Sequence, residues 1–133
     1  MKGKITIVIF LLVFNFCFSQ EHAWVYFTDK PDGNTYLDNP LAMLSQKALN
    51  RRIKQNIILD LRDVPIAKSY IDAIINSAGI LVKTKSKWLN AIHITGSESD
   101  INDLLDLTFV DHVEFAANNL NKNSLSVKLY QEK

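Results

Sequence analysis

The feature that most constrains the fold is a pair of strand-like runs, Ile80–Thr84 and Trp88–Ile94, separated only by the polar link Lys85, Ser86 and Lys87. A link that short favours an antiparallel hairpin, because a parallel return would need a long crossover. Upstream, Ile66, Tyr70, Ile74 and Ala78, helped by Ile71 and Ile75, recur at helical spacing between Asp63 and Ala78, and Gly79 follows where a left-handed C-cap belongs. Downstream, Ser97 with Asp100 three residues later approximates a capping box, and Ile101, Leu104, Leu105 and Thr108 continue a second helical stripe. Beyond both helices lie two more strand-like runs, Ala23–Thr28 and Val110–Phe115.

The first crossover holds an additional element. Asp29 to Asn34 read as a turn-rich loop, and Asn39 followed by Pro40 reads as a helix start. The spacing predicts a helix from Pro40 to about Gln55, with Leu41, Leu44, Ala48 and Leu49 inward and Gln46, Lys47, Asn50 and Arg51 outward; Asn56–Leu61 then joins it, extended, to the next helix. The order is strand, helix, helix, hairpin, helix, strand. The expected fold is α+β: a ferredoxin-like split βαβ sandwich, a four-stranded antiparallel sheet with helices on one face and an extra helix in the first crossover.

Such a sheet leaves its other face free. Ile80 and Val82 oppose Leu81, while Trp88, Ile92 and Ile94 oppose Leu89, Ala91 and His93, so neither side of the hairpin is cleanly polar. A solvated face alternates more strictly, and an apolar second face is a candidate interface, unless the extra helix or a terminal loop covers it.

Lys2 and Lys4 precede an apolar core, Ile7–Phe18, that is short for a bilayer span. Residues 1–19 therefore read as a signal peptide cut after Ser19, which sends the chain to the periplasm or outside the cell with no stable membrane anchor. Phe14, Asn15 and Phe16 before Cys17 do not make a lipid-attachment motif. Cleavage would remove the single cysteine, so no disulfide or thiolate site is expected in the rest. It would also remove two of the 15 basic residues and none of the 14 acidic ones, leaving a nearly balanced chain with no electrostatic footprint for nucleic acid.

Catalytic chemistry finds little material. His22, His93 and His112 are the three histidines, two of them within strand runs, and no serine sits in a glycine-flanked nucleophile turn. No catalytic residue is expected. Asp100, Asp103 and Asp106 drift around a helix and do not form a metal set, and the isolated glycines form no phosphate loop, so neither metal nor cofactor is expected. Trp88 beside Lys83, Lys85 and Lys87 matches an RNA-stacking sheet only in part, since a second platform is missing.

Ala116–Lys133 is a polar tail or linker in which Ser126–Tyr130 regains strand character. Taken in order, the segments Ala23–Pro31, Asn39–Arg52, Asp60–Ile66, Ser86–Gly96 and Val110–Ala116 resemble the N-terminal prosequence of secreted subtilisin-like serine peptidases of the Bacteroidetes group. The resemblance covers Ala23 to about Leu120, within a propeptide-like domain of residues 20–115. It implies an intramolecular chaperone and inhibitor whose partner is a subtilisin-like peptidase domain, in cis or in trans. By resemblance and strand pattern, Leu81, Leu89, Ala91, Val113, Phe115, Ala116 and Ala117 are expected to meet that partner, with the segment after the last strand running into the active-site cleft. The peptidase's own Asp, His and Ser motifs belong downstream and do not occur before Lys133. The chain is therefore expected to be a precursor fragment, a truncated remnant or a free-standing secreted protein-binding or inhibitory module.

Overall fold

The computed structural model describes residues 19–117 and 119–121. The segment 1–19 expected to be a signal peptide, apart from Ser19, and the strand-like run Ser126–Tyr130 lie outside the described residues.

Four strands make one antiparallel sheet: β1 (Glu21–Phe27), β2 (Leu81–Ser86), β3 (Ala91–Gly96) and β4 (Val110–Phe115), in the spatial order β2-β3-β1-β4. Each βαβ half is thus split by a strand of the other half, as the hairpin and its two flanking helices require. Two helices cover one face, α3 (Lys68–Ile75) and α4 (Glu98–Asp103), numbered after α1 (Gly33–Asp38) and α2 (Gln46–Lys54) in the first crossover.

Period-two alternation builds the covered face. Ala23, Val25 and Phe27 of β1, Ile92 and Ile94 of β3, and Val110, Val113 and Phe115 of β4 join Ile66, Ile74, Ile101 and Leu104 in one core, with Tyr70 and Ile71 packed against it. A bulge keeps β4 in phase. Tyr26 pairs with His112 but Phe27 pairs with Val110, so Asp111 is the additional residue that lets Val110 and Val113 both face inward.

Local chemistry sets the helix ends. Ser97 Oγ accepts from the Asp100 N–H at 3.1 Å and donates to the Asp100 carboxylate at 2.7 Å, a cap that works with aspartate in place of the usual glutamate. Gly79 has φ 71°, and a Cβ there would lie 2.1 Å from Asp100 Oδ2, so both its conformation and the close approach of α4 require glycine.

The first crossover departs from expectation. The helix expected over Pro40–Gln55 divides into a 3-10 turn (Pro40–Ala42) and α2, because Ser45 is extended and its Oγ accepts from the Ala48 N–H at 3.3 Å, starting a new helix. Leu41, expected inward, is exposed, and α2 has no buried residue. α1 forms where a loop was expected to give way directly to that helix. Likewise α3 starts at Lys68 and not near Asp63, since Asp63 to Ala67 runs as a buried irregular stretch.

That stretch is held by ions and carbonyls. Arg52 meets Asp63, which is only 4% exposed, through two parallel hydrogen bonds of 2.9 and 2.5 Å. The Lys30 ammonium donates to the carbonyls of Leu61, Val64 and Lys87 at 2.7, 2.6 and 2.6 Å, using its three protons to join the end of β1 to the crossover and the hairpin turn. Burial, and then the neighbouring Lys87, hold the Lys30 ammonium below its ordinary range.

Candidate functional site: the uncovered sheet face

The opposite face of the sheet is made by the alternate residues of the same strands. His22, Trp24 and Tyr26 come from β1, Ala91, His93 and Thr95 from β3, His112 and Glu114 from β4, and Leu81, Thr84 and Ser86 from β2. None of these side chains belongs to the core cluster beneath the helices.

The rings on this face lean on one another. Trp24 pairs with His93 across β1 and β3, with ring centroids 5.3 Å apart, and His22 also stacks on His93, at 5.3 Å, with Nδ1 and Nε2 3.3 Å apart. Across β1 and β4, Tyr26 stacks on His112 at 4.2 Å, and its hydroxyl donates to Glu114 at 3.1 Å. His112 Nδ1 lies 2.6 Å from the Asp111 carboxylate. Each ring contributes apolar area while its polar edge stays hydrogen-bonded or wet.

The electrostatics follow from the packing. Burial lowers the His93 pKa below its ordinary value, with His22 and Lys83 adding repulsion, which favours the neutral ring. Burial, then the hydrogen bond and charge of Glu114, push the Tyr26 hydroxyl upward, so it remains a donor. The face therefore presents aromatic rings, among them a His93 biased toward its neutral form, beside the Glu114 carboxylate.

Of the residues expected to meet a partner, Leu81 lies on this face opposite Thr95 and is 54% exposed. Ala91 shares the face through its pairing with Tyr26 but is fully buried. Val113 and Phe115, at 3% and 2% exposure, lie on the helix-covered side, so a docked surface cannot reach them; β4 turns its other side chains, His112 and Glu114, to the open face. Leu89 is exposed, but it stands in the turn before β3 because Asn90 adopts φ 50° and ties itself to the Phe27 and Asp29 carbonyls at 3.1 and 2.8 Å. Trp88, expected within that strand, is in the same turn and 69% exposed. Ala116 and Ala117 follow β4 at the end where the Ala116 N–H donates to the His22 carbonyl at 2.8 Å.

Sequence reasoning on the hairpin therefore missed most of the face. His22, Trp24, Tyr26, His112 and Glu114 were legible as the alternate positions of Glu21–Phe27 and Val110–Phe115, once the apolar alternates Ala23, Val25, Phe27, Val113 and Phe115 are assigned to the core.

A second exposed apolar zone, Ile57, Ile58, Leu61, Trp88 and Leu89, lies where the crossover meets the hairpin turn, near the opposite end of the sheet from Ala116. Among the described residues no group of three or more His, Cys, Asp or Glu side chains is placed to hold a metal ion, and no helix is long and apolar enough to cross a membrane.

No curated protein and no solved structure matches the chain. The family model described as the peptidase S8 propeptide domain of Bacteroidota matches residues 22–131, from the first strand through the segment beyond β4. The helix-backed sheet with its uncovered face is thus a propeptide module, distinct from the catalytic part of such a peptidase, and the chain belongs to the Bacteroidota peptidase S8 propeptide domain family.

Proposed function

We propose that this domain docks its uncovered sheet face on the catalytic domain of a subtilisin-like S8 peptidase, helps that domain fold and then blocks its cleft. The observation that carries the reading is the face itself: Trp24, Tyr26, His22, His93 and His112 supply ring area with no helix over it among the described residues, and Leu81 extends that area to the edge strand. Aromatic side chains with polar edges are the usual anchors of protein interfaces, because they bury much area and lose few rotamers.

Folding assistance and inhibition then follow from one contact. A peptidase rich in nonlocal pairings folds slowly, since each long loop must close before its contacts form. A preformed sheet that binds the partly ordered peptidase lowers that barrier, and the bound state carries the chain beyond β4 to the cleft, where an extended segment can add main-chain hydrogen bonds as a substrate does. The peptidase domain lies in cis or in trans. The basic start and apolar core of residues 1–19 support export before docking, with cleavage after Ser19.

Denatured S8 peptidase domain refolded with and without this chain tests the first role, and titration of the native enzyme tests the second. Recovered activity should rise in the first experiment and peptide hydrolysis should fall in the second. A Trp24→Ser chain that keeps its circular dichroism should do neither well. Equal performance by the variant would remove the face from the mechanism.

A further inference from the structure

Two histidines on the uncovered face meet nitrogen to nitrogen. His22 of β1 and His93 of β3 are 71 residues apart in the chain, yet His22 Nδ1 stands 3.3 Å from His93 Nε2. His22 lies opposite Thr95 and His93 opposite Trp24, so the two form a diagonal pair across adjacent strands, a spacing that long side chains bridge. In the neutral pair one imidazole N–H points at the lone pair of the other ring. Moving that proton to the outer nitrogen of its own ring changes no charge, and it leaves two lone pairs directed at the space between the rings.

The separation matches a zinc centre. Zn–N bonds of about 2.0–2.1 Å meeting near the tetrahedral angle set two ligand nitrogens roughly 3.3–3.4 Å apart. Magnesium and calcium prefer oxygen donors, so a pair of imidazoles selects a borderline transition-metal ion instead. The surroundings suit such an ion. Burial already biases His93 toward the neutral ring, the form that binds metal, and Lys83, which opposes a charge there, is exposed and screened by water. Thr95 alternates with His93 on the same face and is 3% exposed, and its Oγ1 has no hydrogen-bond partner among the described residues. A water bound to the metal is a strong donor and gives that oxygen a partner. His112, by contrast, is committed to the Asp111 carboxylate and to the Tyr26 ring.

We propose that His22 and His93 form a two-histidine Zn²⁺ site, with Nδ1 of the first and Nε2 of the second as ligands and the remaining positions open to water or to a group from a docked protein. Structural zinc is enclosed by four protein ligands, whereas an open sphere suits reversible uptake. Zinc binding of this kind is a property of the free domain, and it holds whether or not the face docks on an S8 peptidase.

The test is titration of the full chain, without an affinity tag and carrying Cys17→Ser so that no thiolate competes, with zinc chloride at pH 7.5, followed by calorimetry and by ¹H–¹⁵N spectra of the imidazole rings. The expected result is one zinc per chain, with shifts at His22 Nδ1 and His93 Nε2 and none at His112. His22→Gln and His93→Gln should each weaken uptake about tenfold or more while circular dichroism stays unchanged, and His112→Gln should leave uptake as it was. Magnesium chloride should shift neither ring. Uptake that survives both the His22 and His93 substitutions, or zinc shifts confined to His112, would overturn the site. Where a substitution unfolds the chain, the ring shifts of His22 and His93 in the folded chain decide, and their absence under saturating zinc overturns it equally.

Discussion

Residues 22–27 write two surfaces with one stretch of chain. Ala23, Val25 and Phe27 face α3 and α4 and are buried, whereas His22, Trp24 and Tyr26 face away from the helices and keep contact with water. The covered set is aliphatic or a single ring, shaped to interlock. The uncovered set carries a polar atom on every ring, each with a neighbour on the sheet or access to solvent. The difference teaches how a small domain can hold an interface in reserve: rings with polar edges tolerate water while free and still offer large apolar area when a partner arrives.

Changes on the two faces should therefore fail in different ways. Ile94→Ala, in the covered core beside α3 and α4, is expected to cost about 2–5 kcal/mol of stability, read as a lower urea midpoint by circular dichroism. A loss under about 0.5 kcal/mol would mean that the helices do not close that side. Trp24→Ala, on the other face, should leave the urea midpoint nearly unchanged and weaken binding to the S8 peptidase domain by about 2 kcal/mol or more in calorimetry, as hot-spot aromatics do. Unfolding by this change would assign Trp24 to the core and erase the distinction.

Arg52→Ala touches neither face and calibrates both. It leaves the buried Asp63 carboxylate with only the Asp60 N–H at 3.3 Å, so a loss of about 1–3 kcal/mol in urea unfolding is expected, with peptidase affinity unaltered for the folded fraction.

The smallest effect is a pH dependence confined to the uncovered face. His93 meets His22 and Trp24 from β1 and Lys83 and Thr84 from β2, and its folded pKa lies below its ordinary value of 6.5. Below about pH 6.5 the unfolded chain therefore binds the proton more readily than the folded one. Its stabilising contribution is full above that pH and declines as pH falls toward the depressed value. Urea midpoints from pH 7.5 to 5 should show this decline, and His93→Gln should make the profile flatter; an unchanged profile would detach His93 from the acid response.

What could be read in the sequence was whatever local chemistry decides. The strand β4 was legible to the residue, α4 through Ser97 and the Ile101 to Leu104 spacing, and the left-handed position of Gly79 from its place after a helical stripe. Assigning faces was harder, since it depends on register. Val113 and Phe115 look equally able to face a partner until their pairing with Val25 and Ala23 turns them inward, and the extra residue Asp111 hides the phase of the strand's first half. The division of the Pro40–Gln55 helix depended on whether Ser45 would lie within a turn of helix or cap a new one, a choice set by tertiary context. The tie between Asn121 and Phe115 spans a turn, and no composition or periodicity signals it.

The most direct test of the central claim is side-chain footprinting of the domain free and bound to an S8 peptidase catalytic domain. The expected result is strong protection of His22, Trp24, Tyr26 and Leu81 on binding, with Ile57, Ile58 and Trp88 labelled as before. Unchanged labelling of the first set with protection of the second would contradict it, placing the partner at the crossover and leaving the ring-lined sheet face without a role.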